Sequence, residues 1–247
     1  MKVYGIVLAG GSGKRVGSEI PKQYIEVNGK PLLYYTLKAF EDSAVDQVSV
    51  VADEAHLQFV VSEIVDKYGL KKVIHVCQGG SERFDSVHHG LDDLSTIAGA
   101  EDLVLIHDGA RPFIKPEEIN RMIDEVKLHG AAIAAMPVKD TIKVSDAEGF
   151  VAATTVRSST WQIQTPQGFR YELVKEAYDK AAQMKWKSPV SEPDAEGGLL
   201  DAGKIFTDDS MVIEVVCPEQ KIKLVPVSYE NIKITTAEDL ERAKNLL

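Results

Sequence analysis

The 247-residue chain has two cysteines, two tryptophans and no long hydrophobic run. Cys77 and Cys217 cannot supply a zinc site by themselves or form a disulfide framework. Both lie in apolar runs, Val73-Ile74-His75-Val76-Cys77 and Val215-Val216-Cys217, which reads as reduced thiols packed in a core. No stretch approaches the roughly eighteen apolar residues of a membrane span. The start, Met1 to Leu8, runs straight into a strand-like segment without signal-peptide architecture, so a cytoplasmic location is expected. Positive charge is also scarce. Lys plus Arg total 28 against 38 Asp plus Glu, a net charge of −10. Such a field repels nucleic acid polymers and anionic membranes, and leaves room for a small anionic ligand only where local cations outweigh it. Disorder is excluded, because 44% hydrophobic and 27% charged residues is ordinary globular composition.

What is present alternates. Val3 to Leu8, Val48 to Ala52, Val73 to Cys77, Leu103 to His107 and Ala131 to Val138 are compact apolar runs, as in strands buried on both faces. Helical patterns lie between them. Pro31 at a first helical position opens 32–40, the pattern over 56–68 stops at Gly69, 84–94 is helical, and Pro116 to His129 stops at Gly130. Strand and helix in alternation imply an α/β fold, an open, mostly parallel sheet with helices on both faces. After Val138 the rhythm changes. Thr141 to Val144, a turn at 145–149 and Phe150 to Thr155 read as an inserted β-hairpin arm. A helix is expected over 171–184. The segment of about 185–206 reads as a loop insertion, with two prolines and two glycines in its first part. Strands at 222–227 and 232–235 and a helix capped by Thr236 close a single domain, 1–247.

The first strand runs into Ala9-Gly10-Gly11-Ser12-Gly13-Lys14-Arg15, and glycines there let backbone N–H groups approach phosphate oxygens. The spacing matches neither a P-loop, which would need glycine at Leu8, nor a dinucleotide fingerprint, which meets Val16 at its third position. Asp53 lies about forty residues on, rather than the roughly twenty of a ribose-binding acid. Lys14, Arg15 and Lys22 put three cations beside the loop, and Pro21 fixes the backbone before Lys22. The fourth strand ends in His107-Asp108-Gly109-Ala110-Arg111. Beyond a strand's carboxyl end, Asp108 is placed to meet a metal ion or a ribose, and Arg111 a phosphate. His107 reads as a packed or hydrogen-bonded histidine. His88 and His89 read as structural, without a cysteine or carboxylate at metal-ligand spacing.

The run from Ala9 to Arg15 followed by Pro21-Lys22-Gln23 resembles the signature of sugar-nucleotide and alditol-phosphate nucleotidyltransferases. Further blocks resemble one family among them, the 2-C-methyl-D-erythritol 4-phosphate cytidylyltransferases. These are Gly79 to Val87, His107 to Pro112, Pro137 to Lys143, Arg157 with Trp161 to Gln167, Thr207 to Asp209, and Asn231 to Thr235, in the family's order. The resemblance implies a Rossmann-like nucleotidyltransferase sheet and a reaction of CTP with an alditol phosphate, methylerythritol 4-phosphate, giving a CDP-alcohol and pyrophosphate with Mg²⁺. It implies that Arg15 and Lys22 stabilise the transition state, that Ala9, Gly10, Gly11 and Gly13 line the triphosphate loop, and that Gly80, Ser81 and Ser86 face the cytosine. Asp108 would serve the ribose and Mg²⁺. Arg111, Thr141, Arg157, Thr165 and Lys233 would hold the alcohol phosphate, with Arg157 and Lys233 positioning it for attack and Thr207 and Thr235 nearby. The arm at about 138–157 would make a homodimer in which Thr141 and Arg157 reach the neighbouring subunit's site while Lys22 serves its own.

Ribitol-5-phosphate cytidylyltransferases share much of this framework and are the alternative within the class. An NAD-dependent oxidoreductase is disfavoured by the missing third glycine, and a non-catalytic nucleotide-binding module by the presence of Lys22, Asp108 and Arg157 together.

Overall fold

The computed structural model describes residues 1–11, 20–184 and 206–247. Arg15, Gly13 and the 185–205 part of the expected insertion lie outside them. The apolar runs form strands β1 (Val3–Leu8), β4 (Gln47–Ala52), β5 (Val73–Gln78), β6 (Leu103–Asp108) and β7 (Ala131–Pro137). With β10 (Trp161–Arg170) and β11 (Lys223–Pro226) they make one seven-stranded sheet, in the order β11-β7-β10-β6-β1-β4-β5. Every pairing is parallel except those of β10, which runs antiparallel to both β6 and β7.

Side-chain alternation explains why these runs are apolar throughout. Val3 and Val7 of β1 and Leu103 and Leu105 of β6 enter one core, whereas Tyr4, Ile6, Val104 and Ile106 enter the core on the opposite face. The first core is closed by α1 (Leu32–Glu41) and α4 (Pro116–His129), the second by α3 (Arg83–Leu94), α5 (Tyr171–Gln183) and α6 (Asp209–Val216). Between α1 and α3, α2 (Leu57–Phe59) continues as a π-helical stretch, Val60–Asp66. Gly130 ends α4 in the left-handed region, φ 78°, as a helix-terminating glycine does. Among the described residues, no helix is long and apolar enough to cross a membrane. Both cysteines are free thiols, half-buried rather than fully packed, and burial pushes the Cys77 thiol up to about 11.

Several expectations need correction. Residues 232–235 form no strand. Their backbone is tied to a loop by Ile234 N–H donating to Ala110 O (2.8 Å), and Asn231 beside them bonds to β10. Pro31 caps α1 from β3 (Lys30–Pro31) instead of opening the helix. β3 pairs with β2 (Glu26–Val27) across Asn28-Gly29, both at positive φ, a hairpin signal legible in the sequence. The longest strand, β10, has the polar residues Gln164, Thr165 and Gln167 buried at its centre, which hides it from an apolar-pattern reading.

The arm is a shorter ribbon than the expected one, β8 (Lys143–Ser145) with β9 (Val151–Thr154), and among the described residues its strands pair only with each other. It leaves Phe150 67%, Val151 65% and Val156 68% exposed. The C-terminal helix α7 (Ala237–Leu246) is capped by Thr236, as expected, through a reciprocal bond with Asp239.

Gly168 on β10 sits where a Cβ would lie 2.5 Å from both Leu105 Cδ2 and Val126 Cγ2. Gly168→Ala should therefore destabilise the fold by about 1–3 kcal/mol through overpacking. The urea midpoint measures this, and an unchanged midpoint would mean that β6 and α4 separate freely.

Candidate active site

From β1 the chain turns to β4 and β5, then crosses back to β6, so the switch in strand order falls between β1 and β6. Ligands of open α/β sheets bind outside the strand carboxyl ends at such a point. A cavity of about 640 Å³ opens there, lined by Leu8, Gly10 and Gly11 after β1, Asp53 after β4, Gly80 to Arg83 and Ser86 after β5, and Asp108 and Ala110 after β6. Lys22, Lys233 and Thr235 complete it.

Local bonding holds each wall in place. Gly11 has φ 102°, which favours glycine. Ala9 is buried behind the cavity, with its carbonyl accepting from Gln23 Nε2 (2.6 Å) and Tyr24 Oη (3.1 Å). At the second glycine pair, a Cβ on Gly80 would overlap Asp85 Cβ, so only glycine fits. Gly80 N–H donates to Ser86 Oγ (3.2 Å) and Ser81 Oγ to Asp85 Oδ2 (2.8 Å), which fixes this turn against the first turn of α3.

A second cavity of about 240 Å³ is lined by Arg111, Ile163, Gln164, Thr165, Gln167, Thr207 and Asp208. It shares Arg83, Asp108 and Lys233 with the first. At this common wall Asp108 pairs with Lys233 (2.9 Å), Arg83 (3.6 Å) and Arg111 (3.6 Å). Burial alone would raise its pKa, but Lys233, Arg83 and Arg111 outweigh that and hold the carboxyl well below the usual range. Arg83 in turn forms a two-pronged pair with the buried Asp209 (2.7 Å for both bonds), which also accepts from Tyr178 Oη (2.6 Å).

The first cavity is lined by three cations, Lys22, Arg83 and Lys233, against three carboxylates, Asp53, Glu82 and Asp108. The second has Arg83, Arg111 and Lys233 against Asp108 and Asp208. In a chain of net charge −10, the first cavity is thus balanced in charge and the second has an excess of cations.

The structure thus gathers Gly10, Gly11, Lys22, Gly80, Ser81, Ser86, Asp108, Lys233 and Thr235 around the first cavity, and Arg111, Thr165 and Thr207 around the second. Thr235 Oγ1 donates to Asp239 Oδ2 (2.9 Å) at the start of α7. Thr141 and Arg157 are exposed at the arm and line neither cavity. Arg83 received no role in the sequence reading. It follows a glycine pair at a strand end, as Lys22 follows the first glycine loop, and that parallel was the available signal.

His107 is buried, as expected. Thr165 Oγ1 accepts from Asp108 N–H (3.1 Å), so its hydroxyl proton is free to donate to His107 Nδ1 (3.1 Å), leaving His107 Nε2–H for Arg111 O (3.3 Å). His88 does have carboxylate neighbours, Asp92 and Asp179, with ligand atoms within 4.8 Å of one another. Lys175 Nζ occupies that cluster, 2.6 Å from Asp179 and 3.1 Å from Asp92, which makes it an ion-pair network.

A doubly wound sheet with two abutting, cation-rimmed cavities at its switch point is the architecture of a Rossmann-like nucleotidyltransferase. The profile of the 2-C-methyl-D-erythritol 4-phosphate cytidylyltransferase (IspD) family matches residues 3–247. A protein of that description from Lachnospira eligens is 46% identical over 239 residues, 96% of each chain. One from Lachnoclostridium phytofermentans is 43% identical over 246 residues, 100% of this chain and 96% of its own. The crystal structure of 4-diphosphocytidyl-2C-methyl-D-erythritol synthase from Anaerococcus prevotii superposes with a TM-score of 0.78 at 30% identity, covering 99% of this chain and 95% of that one. The chain belongs to the 2-C-methyl-D-erythritol 4-phosphate cytidylyltransferase family.

Burial lowers the His107 pKa from 6.5 to about 4. Between those values the unfolded chain takes up a proton that the folded chain refuses, so stability should fall as pH drops from 6.5 to 4. The limiting slope is about 1.4 kcal/mol per pH unit. Urea titrations across this window should show the slope in the wild type and not in His107→Gln. An equal slope in both would assign the acid loss to other groups.

Proposed function

We propose that the protein transfers the cytidylyl group of CTP to 2-C-methyl-D-erythritol 4-phosphate, giving 4-diphosphocytidyl-2-C-methyl-D-erythritol and pyrophosphate, a step towards isoprenoid precursors. The observation that carries this is the common wall of Arg83, Asp108 and Lys233, across which a nucleotide in the larger cavity and a phosphate monoester in the smaller can meet.

A phosphate monoester is already ionised, so the site needs no base to activate it. It must instead bring two anions together and tolerate charge on the attacking and leaving oxygens. An oxygen of the acceptor phosphate attacks the α-phosphorus in line, and the bond to the pyrophosphate oxygen breaks. The glycine loop seats the triphosphate, Gly80, Ser81 and Ser86 face the base, and Lys22, with Arg15, supplies fixed positive charge where negative charge develops. Lys233, Arg111 and Thr165 hold the incoming phosphate, with Thr207 beside them.

Mg²⁺ fits this site in one mode. Hard divalent cations of this kind are held by one or two carboxylates together with substrate phosphates, and Asp108 and Asp53, which both line the larger cavity, are the carboxylates that would hold it here. When bound, it would neutralise the triphosphate and orient pyrophosphate departure.

The exposed arm supports a homodimer. An isolated two-stranded ribbon is marginal in water, and Phe150, Val151 and Val156 are apolar surface awaiting a partner. Thr141 and Arg157 would then complete the partner's acceptor site. A cytoplasmic location suits an enzyme that consumes CTP and keeps two free thiols.

A pyrophosphate-release panel should show CTP preferred over UTP and ATP, and methylerythritol 4-phosphate over ribitol 5-phosphate. Uracil presents a carbonyl where cytosine presents an amino donor, a mismatch that discriminates strongly. Preference for ribitol 5-phosphate would transfer the chain to that activity. In the same assay Lys22→Ala should lose about a hundredfold or more in turnover, as removal of one fixed charge-stabilising group does.

Lys22→Ala and Arg157→Ala homodimers should each be nearly inactive. Refolded together, half the dimers are mixed and each mixed dimer has one intact site, so roughly a quarter of wild-type activity should return. No recovery from a mixture that contains heterodimers would put Arg157 in its own subunit's site.

A further inference from the structure

Gln23 follows Lys22 in a single 3₁₀ turn, Lys22–Tyr24, entered from Pro21. It is 1% exposed, far more buried than a glutamine beside a ligand cavity needs to be. Its carboxamide nitrogen donates to Ala9 O (2.6 Å) and also reaches Gly11 O (3.3 Å). Tyr24, next in the turn, is buried as well, donates its hydroxyl to Ala9 O (3.1 Å) and stacks on His56 (ring centroids 4.7 Å apart). The Ala9 carbonyl therefore has both lone pairs used.

In a planar trans peptide, C=O and the following N–H point in opposite directions. Fixing Ala9 O towards Gln23 therefore fixes Gly10 N–H away from it, and Gly10 lines the cavity. The same turn carries Lys22 into that cavity. Three residues make one 3₁₀ turn, so a buried Gln23 and Tyr24 leave Lys22 directed to the third side. Gln23 Oε1, buried and without a partner among the described residues, adds a stability cost that an apolar side chain would not carry.

We propose that Gln23 is a positioning residue that clamps the glycine loop to the Lys22 turn, so that backbone donors and the lysine ammonium form one preassembled triphosphate seat. The clamp accounts for a buried polar side chain whose donors serve two loop carbonyls and whose acceptor serves none among the described residues. It rests on the reading of the larger cavity as the CTP site.

The test measures Mg–CTP affinity by calorimetry, turnover by pyrophosphate release, and the thermal midpoint, for the wild type, Gln23→Met, Gln23→Glu, Lys22→Ala and the double variant Lys22→Ala/Gln23→Met. Methionine keeps the length and removes both the donors and the unpaired acceptor. Glutamate keeps the shape and removes the donors. Gln23→Met should keep or raise the thermal midpoint while losing about tenfold in CTP affinity, the scale of one effective hydrogen bond, and Gln23→Glu should lose more. In the Lys22→Ala background, Gln23→Met should cost less than about twofold further in turnover, because residues acting as a unit are not additive. Should Gln23→Met fail to fold, Tyr24→Phe, which removes only the second bond to Ala9 O, should lower affinity about threefold.

Unchanged CTP affinity in the folded variants, or turnover losses that multiply in the double variant, would overturn the clamp. CTP binding without turnover by the wild type would sink the proposed reaction and leave the clamp to be judged on affinity. No CTP binding by the wild type would sink both.

Discussion

The structure turns on one carboxylate. Asp108 ends the central strand β6 and is held by Lys233 from the C-terminal segment, Arg83 from the start of α3 and Arg111 from the loop that follows it. Such a buried carboxylate is tolerable only because cations surround it, and the cations tolerate one another only because it lies between them. Through those contacts three stretches far apart in sequence, around Arg83, around Asp108 and Arg111, and around Lys233, are drawn to one point at the sheet's carboxyl edge. Both cavities are lined by that point. Arg83 gains a further anchor in Asp209, itself bonded to Tyr178, so the wall between the cavities is also stitched into the core packed under α5 and α6.

The apolar strands were legible because β1, β4, β6 and β7 are buried on both faces, which leaves hardly any polar residue to interrupt the run. β10 escaped for the opposite reason. Gln164, Thr165 and Gln167 are buried in the sheet because their polar groups meet partners there: Asn231 for Gln164, His107 for Thr165, and Asp208 and the Ser210 N–H for Gln167. Periodicity cannot announce a strand whose burial is offset by hydrogen bonds formed across 41 to 67 residues. The supposed strand at 232–235 misled symmetrically, since its apolar residues serve packing against α7 rather than a ladder.

The candidate site was legible wherever a residue type and its place at a strand end said the same thing. Gly10, Gly11 and Asp108 are of that kind; Lys22 was marked by its place beside the glycine loop and Gly80 by the family resemblance, and all five line one cavity. Arg83 and Gln23 were not, because their importance lies in what they bond to: a buried aspartate 126 positions on for Arg83, and backbone carbonyls 14 and 12 positions back for Gln23. Such partners are visible only once the chain has closed on itself.

The reversed direction of β10 has a consequence for how this scaffold can change. An antiparallel strand begins where its neighbours finish, so the excursion between Pro137 and Trp161 leaves and re-enters at the same edge as the chemistry. The ribbon can lengthen, shorten or alter its tip without disturbing the register of any central strand. Whatever surface it meets is thereby set beside the reacting groups, and quaternary contacts can diversify in evolution while the seven-stranded platform stays the same.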